Sequence, residues 1–455
     1  MWSRRRRTVC RTLSALAMSR PGSFPRQVQL PTRSVLRSFV SSHKADVFVC
    51  HSDRTSAFMT PPYACAYTNA AKRGGVPYLA VATEQGTVYI RNTSKRDAWD
   101  AEPQRIDLDV HDNGIFDIQW SMSDALFATS AGDHSTRITD PITAKTLHIL
   151  RGHTSTVKSV VWDPAHENLL STGGRDGGIC VWDLRVEAME QDDGVPHAIS
   201  PVLTIKGAHG EDPQSKGRGR KAKTSGSRTV TSLLYPNTDP YGLISGGSFD
   251  GILRYWDLRQ PTSSGKTKTA KAQGMRPTQM SAFDPTTLHG TRRSHGITSL
   301  VCGSGPTAGV LFGLGTDSRI HTYAMPSLLP LSDTPGRAFT HPQMLTNSFY
   351  VRLALAPNGR WLASGSTMTG GFGSAFLYDV SQTALAAPTG IAETAGVQLA
   401  AQRGEVGAVD WAEGMLATCS DDGSVRIWRT DDEMRRRCDE EDDAHWNWAW
   451  AVDQR

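Results

Sequence analysis

The sequence predicts an all-β chain folded as a seven-bladed β-propeller, and three observations carry that reading. A turn-and-strand unit recurs at fixed spacing: Asp176 to Trp182, Asp250 to Trp256, Asp317 to Tyr323 and Asp422 to Trp428 are each six residues apart. Asp133 to Thr139 keeps the spacing and loses the aromatic. Each unit alternates small or polar with β-branched or aromatic residues (GGICVW, GILRYW, SRIHTY, GSVRIW), the period of two that a strand shows after a tight turn. Upstream of each lie two more short apolar segments, such as TVKSVVW and NLLSTGG, or EVGAVDW and MLATCS. Repetition at ~40–45 residues per unit is the signature of propeller blades, and seven of them need roughly 300 residues.

The blades follow in order. They occupy 76–90, 114–140, 157–185, 229–259, 296–324, 349–380 and 405–430. A four-stranded blade cannot bury both faces alone, whereas a ring buries them all and leaves only short edges. An N-terminal strand, DVFVC at 46–50, is expected to join the last blade and seal the ring. The propeller therefore spans 46–430, with a disordered basic arm at 1–45 before it and a short acidic, Trp-rich tail at 431–455 after it. Within the tail, Trp446, Trp448 and Trp450 are read as packing on the side of the propeller, with a short partner-binding motif as the alternative. The Gly-rich run TMTGGFGS at 367–374 lacks the strand-to-helix setting of a phosphate loop and reads as a long hairpin turn.

Composition bounds the function. With 38% apolar and 21% charged residues the chain is globular in character, and no apolar run approaches the ~20 residues of a membrane-spanning helix. Seven scattered cysteines without a CxxC pair argue for a reducing compartment and against structural zinc. There is no GxSxG, GxxxxGK[ST] or HExxH, so no catalytic residue, metal or cofactor is assigned. Two insertions, 206–228 and 260–280, are rich in Lys, Arg, Gly and Ser and read as disordered basic loops. The first holds five basic residues in KGRGRKAK, which suits nuclear import or a weak contact with a nucleic-acid backbone. Residues 1–45 carry nine Arg, one Lys and no acid. That leaves two addresses open, the nucleus and, as for a transit peptide, the mitochondrion.

The tetrapeptide WDLR ends two consecutive blades, as Trp182, Asp183, Arg185 and as Trp256, Asp257, Arg259. Trp packs between sheets and Asp ends the strand, but packing does not require the Arg, which projects to one rim where its planar fork can meet a partner's carboxylate. These blades resemble WD repeats. The resemblance implies a polar tetrad in the third blade, His153, a strand hydroxyl (Ser171, or Thr172 beside it), Asp176 and Trp182, and makes His153 structural. Trp-Asp-x-Arg in turn resembles the box by which substrate receptors dock onto the adaptor of cullin-4 ubiquitin ligases. The final blade ends Trp428-Arg429-Thr430 and lacks the Asp.

The ordered set IFDIQW, ATSAGDHST, GHTSTVKSV, STGGRDGGICVWDLR, DGILRYWDLR, NSFYVRLALAPNGRWLASGS and ATCSDDGSVRIWR resembles the denticleless family. The resemblance implies a non-catalytic receptor that docks the cullin-4 adaptor, the damaged-DNA-binding protein subunit, through Arg185 and Arg259. It also implies substrates bound to the DNA-loaded sliding clamp whose degron carries a basic residue, to which an acidic pocket would be complementary. Asp117, Asp410 and Asp421 read as ordinary strand and turn carboxylates. The competing expectation is a WD-repeat scaffold in a chromatin or RNA-processing complex, favoured by the basic loops.

Overall fold

The structure is a computed structural model that describes residues 32–52, 58–96, 99–101, 103, 105–186, 197–210, 228–259, 275–288, 293–331, 338–368, 371–381, 383, 396–440 and 449–452. Seven blades stand in a ring, their strands antiparallel except that His197–Ile199 runs parallel to Lys145–Arg151 in blade 2. Their inner strands are Pro62–Tyr67, Ile115–Trp120, Val157–Trp162, Val230–Leu234, Ile297–Cys302, Leu353–Leu355 and Val406–Ala412. The fold is the propeller that the repeats predict, and blade 1 has an inner strand that the sequence did not reveal: Pro62–Tyr67, before the 76–90 segment.

Neighbouring blades are held by packing and by a recurring indole bond. The Trp at the end of an inner strand donates its Nε1 proton to a carbonyl of the preceding inner strand: Trp120 to Ala66 at 3.0 Å, Trp162 to Gln119 at 3.1 Å, Trp411 to Ala354 at 3.1 Å. In blade 4 Tyr235 takes that place and its hydroxyl meets Ser171 Oγ at 2.6 Å. Glycines ending the second strands permit the close approach. A Cβ at Gly173 would lie 2.7 Å from Val230 Cγ1 of the next blade, so any side chain there would push blades 3 and 4 apart.

Closure differs from expectation in its extent. Val47–Val49, within the expected DVFVC segment, pairs with the third strand of blade 7, Val47 opposite Arg426. The chain enters the ring earlier, however, and the proposed disordered arm does not reach residue 45. Arg33–Arg37 is helical, and Phe39–Ser41 pairs with Arg429 and Thr430 as the outer strand of blade 7. Phe39 is fully buried between Trp361 of blade 6, at a ring-centroid distance of 5.9 Å, and Trp411 of blade 7, at 5.6 Å.

The tail also belongs to the ring. Asp432–Glu440 is a helix, and Ala449–Val452 pairs with Phe39–Ser41 on one edge and with Val397–Gln402 of blade 6 on the other. Blades 6 and 7 thereby merge into one ten-stranded sheet. Trp450 sits opposite Val40, half-buried; Trp446 and Trp448 lie outside the described residues. Both basic insertions lie mostly outside them as well, but their limits contract. Lys206 to Gly210 forms an ordered turn, and Gln279–Met280 is the outer strand of blade 4. The Gly-rich run links the second and third strands of blade 6, and the third strand starts within it at Gly373.

Truncating the Phe39 ring removes apolar contacts to two blades at the seam where chain start meets chain end. Phe39→Ala is expected to cost about 3–5 kcal/mol, read as a lower denaturant midpoint. A loss below about 1 kcal/mol would show that the seam is not closed by this side chain.

Candidate functional site

The lower face is where the third strands end. Trp182 and Trp256 are buried, and each indole donates to a hydroxyl on the adjacent strand, Thr172 Oγ1 at 2.8 Å and Ser245 Oγ at 2.9 Å. The expected tetrad therefore uses Thr172, and Ser171 is corrected out of it. Leu170 sits opposite Trp182 in the ladder, so Thr172 shares the Trp182 side of the sheet while Ser171 faces Tyr235. His153 completes the set, with Nε2 2.8 Å from Thr172 Oγ1 and Nδ1 3.1 Å from Asp176 Oδ2. Burial lowers the His153 pKa, but the hydrogen bond to Asp176, then the hydrogen bond and charge of Cys180 and the charge of Asp176, outweigh it and lift the value to about 9.

The other blades vary this arrangement in ways the sequence reading missed. Blade 2, despite Thr139, places His111 between Thr129 and Asp133, at 2.9 Å to each. There burial prevails, Arg137 adds to it, and the His111 pKa is lowered. In blade 4 His209 bonds Ser245 at 2.9 Å, but Asp250 turns to Arg228 at 3.7 Å. Without the carboxylate, burial and the charges of Arg254 and Arg228 push His209 down to about 3. His209 escaped notice because it borders the Lys/Arg-rich insertion, where composition says loop.

Beyond the Trp residues each WDLR box builds a preset fork. Asp183 accepts from the Arg185 backbone N–H at 3.0 Å, from Nε at 2.9 Å and from a terminal guanidinium nitrogen at 2.8 Å. Asp257 holds Arg259 the same way, at 3.1, 2.9 and 3.0 Å. Pairing in this bidentate geometry fixes the guanidinium plane, yet the side chains remain 67% and 57% exposed. Arg259 also lies over the Tyr241 ring at 5.0 Å, and Tyr241 approaches His166 of blade 3. Both forks thus stand on one rim of adjacent blades. In blade 7 Arg429 stands where the boxes have Asp, and Asp431 where they have Arg, so the fork is absent; Arg429 turns instead to Asp46 and the Thr93 carbonyl.

The upper face carries the approaches to the inner strands. Each turn after a second strand bonds the residue that precedes an inner strand: Glu84 N to Pro61 O at 2.9 Å, Arg175 N to Thr156 O at 2.8 Å, Asp421 N to Glu405 O at 3.0 Å. Equivalent positions in the ring therefore hold carboxylates on blades 1 and 7 and a guanidinium on blade 3. Asp421 is pushed up to about 6 by burial and then by the charges of Glu405, Glu84 and Asp422. Among the described residues no Lys or Arg pairs with Glu84, Glu405 or Asp421, and the buried Glu405 Oε1 has no hydrogen-bond partner.

At the mouth of the channel the rings of Tyr63, Phe116 and Tyr350 stack with centroids 5.3–5.8 Å apart. Lys158 Nζ lies 3.5 Å from the Phe116 centroid and 4.8 Å from that of Tyr350. Beneath them Arg352 donates to the carbonyls of Phe116 and Lys158, at 2.9 and 3.0 Å, tying three blades together. The channel below is a cavity of about 390 Å³ lined by residues that include Asp117, Asp410, Lys72 and Trp162. Asp117 caps the Val160 backbone at 3.0 Å, and Asp410 pairs with Lys72 and the Tyr67 N–H, so both are committed to structure. Among the described residues no group of three His, Cys, Asp or Glu is placed to hold a metal ion, and no helix is long and apolar enough to cross a membrane.

Comparison with known proteins agrees with this architecture. The family model for the WD domain, G-beta repeat, matches residues 144–183, 220–257 and 398–429. The chain is 30% identical to Denticleless protein homolog A of Xenopus laevis, over 86% of this chain and 51% of that protein. It is 32% identical to the Denticleless protein homolog of Danio rerio, over 82% of this chain and 52% of the relative. For the Homo sapiens homolog the figures are 30%, 81% and 46%. The chain is a Denticleless-type WD-repeat protein. It spans about half the length of the curated relatives it matches. The Denticleless-type propeller thus presents two distinct surfaces, a lower rim with two oriented arginines and an upper mouth with stacked rings and divided charge.

The His153 and Asp176 pair gives a signed pH dependence. Its folded histidine pKa lies above the unfolded value of ~6.5, so its stabilisation is full below about pH 6.5 and is lost as pH rises through about 9. Asp176→Asn is expected to cost about 1.5–3 kcal/mol at pH 6, with the gap to wild type shrinking toward pH 9 in denaturant melts. A gap independent of pH would contradict a charged pair.

Proposed function

We propose that this chain is a non-catalytic substrate receptor of a cullin-4 RING ubiquitin ligase. It docks the ligase adaptor, the damaged-DNA-binding protein subunit, with its lower rim and presents sliding-clamp-bound replication and cell-cycle proteins for ubiquitination. The observation that carries this is the pair of exposed, Asp-oriented Arg forks on adjacent blades of one face. Orienting a guanidinium before contact lowers the entropy lost on binding, and Arg and Tyr are the side chains that most often dominate interface energies. Similarity to Denticleless proteins supports the same reading.

The upper mouth is then the substrate face. Among the described residues Glu84, Glu405 and Asp421 crowd three carboxylates with no paired Lys or Arg, and a basic residue of a docked degron relieves their mutual repulsion. Its work is assigned to the nucleus, where replication clamps are loaded, with a weak, salt-sensitive contact to nucleic acid through the basic insertions.

A pull-down of the tagged chain from dividing cells, probed for the adaptor, tests the docking half. Wild type is expected to recover it, and the double variant Arg185→Ala, Arg259→Ala to lose at least about tenfold, consistent with two interface arginines. Its melting temperature should stay at the wild-type value, because both side chains are exposed. Equal recovery by the two forms, or none by either, would overturn the docking reading and leave a WD-repeat scaffold.

A further inference from the structure

The upper mouth holds a second unbalanced charge, opposite in sign to the first. Lys158 projects from the second position of its inner strand onto the faces of Phe116 and Tyr350. Its neighbours in charge are cations: Arg352, committed to two carbonyls, and Arg175, exposed on the adjoining turn. Burial first, then these two charges, lower the Lys158 pKa to about 8. Among the described residues no carboxylate pairs with it. The rings give the ammonium a favourable face but no negative charge, so one side of the group remains unmatched.

The two unbalanced clusters border the same group of three stacked rings. Glu84 stands beside Tyr63, raising the pKa of its hydroxyl after burial has done so. The Tyr63 and Phe116 centroids are 5.7 Å apart, and Lys158 Nζ is 3.5 Å from the Phe116 centroid. The acidic and basic ends are thus separated by on the order of 10 Å, about three residues of extended chain. A free dianion fits this mouth poorly, because Glu405 and Asp421 repel it. A peptide carrying both signs satisfies both ends at once, and the exposed Tyr350 ring offers it an apolar seat.

We infer that Lys158 is a second recognition subsite of the upper mouth, taking the carboxylate of an acidic side chain about three positions from the basic residue of a docked peptide. The inference rests on reading this mouth as the substrate face. It adds a selection rule: an isolated basic residue is a weaker ligand than a basic residue with an acidic one at the matching distance.

The test uses the full chain and short fluorescein-labelled peptides on one neutral, leucine-containing scaffold. All carry a single Lys, with Glu or Gln about three positions away on either side; binding is read by anisotropy. The Glu peptide of the correct polarity is expected to bind about fivefold tighter than its Gln counterpart, the size of a partly exposed charge pair. Lys158→Met, which keeps the apolar stem on the rings, should erase that preference while leaving the Gln peptide's affinity unchanged. Lys-dependent binding with no Glu preference, or a preference that survives in Lys158→Met, overturns the subsite and spares the acidic pocket. If wild type binds none of the peptides, the subsite and the substrate-face reading both fall. A melt of Lys158→Met, unchanged from wild type, excludes misfolding as the cause.

Discussion

Closure of the ring is the constraint on which every other feature depends. Each blade has two apolar faces, and only a neighbour on each side removes both from water. The seam between blades 6 and 7 is where this is hardest, because chain continuity does not supply blade 7's outer strand. Phe39–Ser41 fills the gap from the N-terminal side, Ala449–Val452 from the C-terminal side, and the Phe39 ring wedges between Trp361 and Trp411. The inward turn of Arg429 toward Asp46 follows from the same need. Blade 7 gives up the Asp of the fork for this contact, since Arg429 occupies the place that Asp183 and Asp257 hold in blades 3 and 4.

With the ring closed, repeated positions become a scaffold on which chemistry varies cheaply. The tetrad site is complete in blade 3, lacks the indole in blade 2 and lacks the carboxylate contact in blade 4. These differences move the histidine pKa in opposite directions without altering the strands that carry it. On the upper face the equivalent turn position is Glu84, Arg175 or Asp421 depending on the blade, so charge is distributed around the mouth by single residues. On the lower face the Asp–Arg fork needs only the two residues after the Trp-Asp pair. The Denticleless-type chain thus separates its surfaces by the direction of the strands.

Four blades were legible because an Asp and an aromatic six residues apart are demanded by a turn and the strand after it, and the others through the short apolar segments that recur at the same period. Exceptions arose where backbone pairing, rather than side-chain pattern, defines the element. PYACAY is short-chained and close to continuous in small residues, so its alternation is faint, and a three-residue strand such as Phe39–Ser41 has no period to detect. Choosing Thr172 over Ser171 needed the ladder register, since adjacent residues face opposite sides of the sheet. Arg185 and Arg259 were visible because nothing in blade packing requires them. The aromatic platform was not, because Tyr63, Phe116 and Tyr350 come from three blades and only the ring brings them together.

The central claim is that the lower rim and the upper mouth act as independent surfaces on one rigid ring. The most direct measurement is the affinity of the chain for a lysine-containing peptide with and without saturating adaptor. Independent faces predict the same dissociation constant within about twofold, the spread expected of uncoupled sites, and recovery of a three-component complex. Displacement of the peptide by the adaptor would contradict the account, because it would put both partners on the same face.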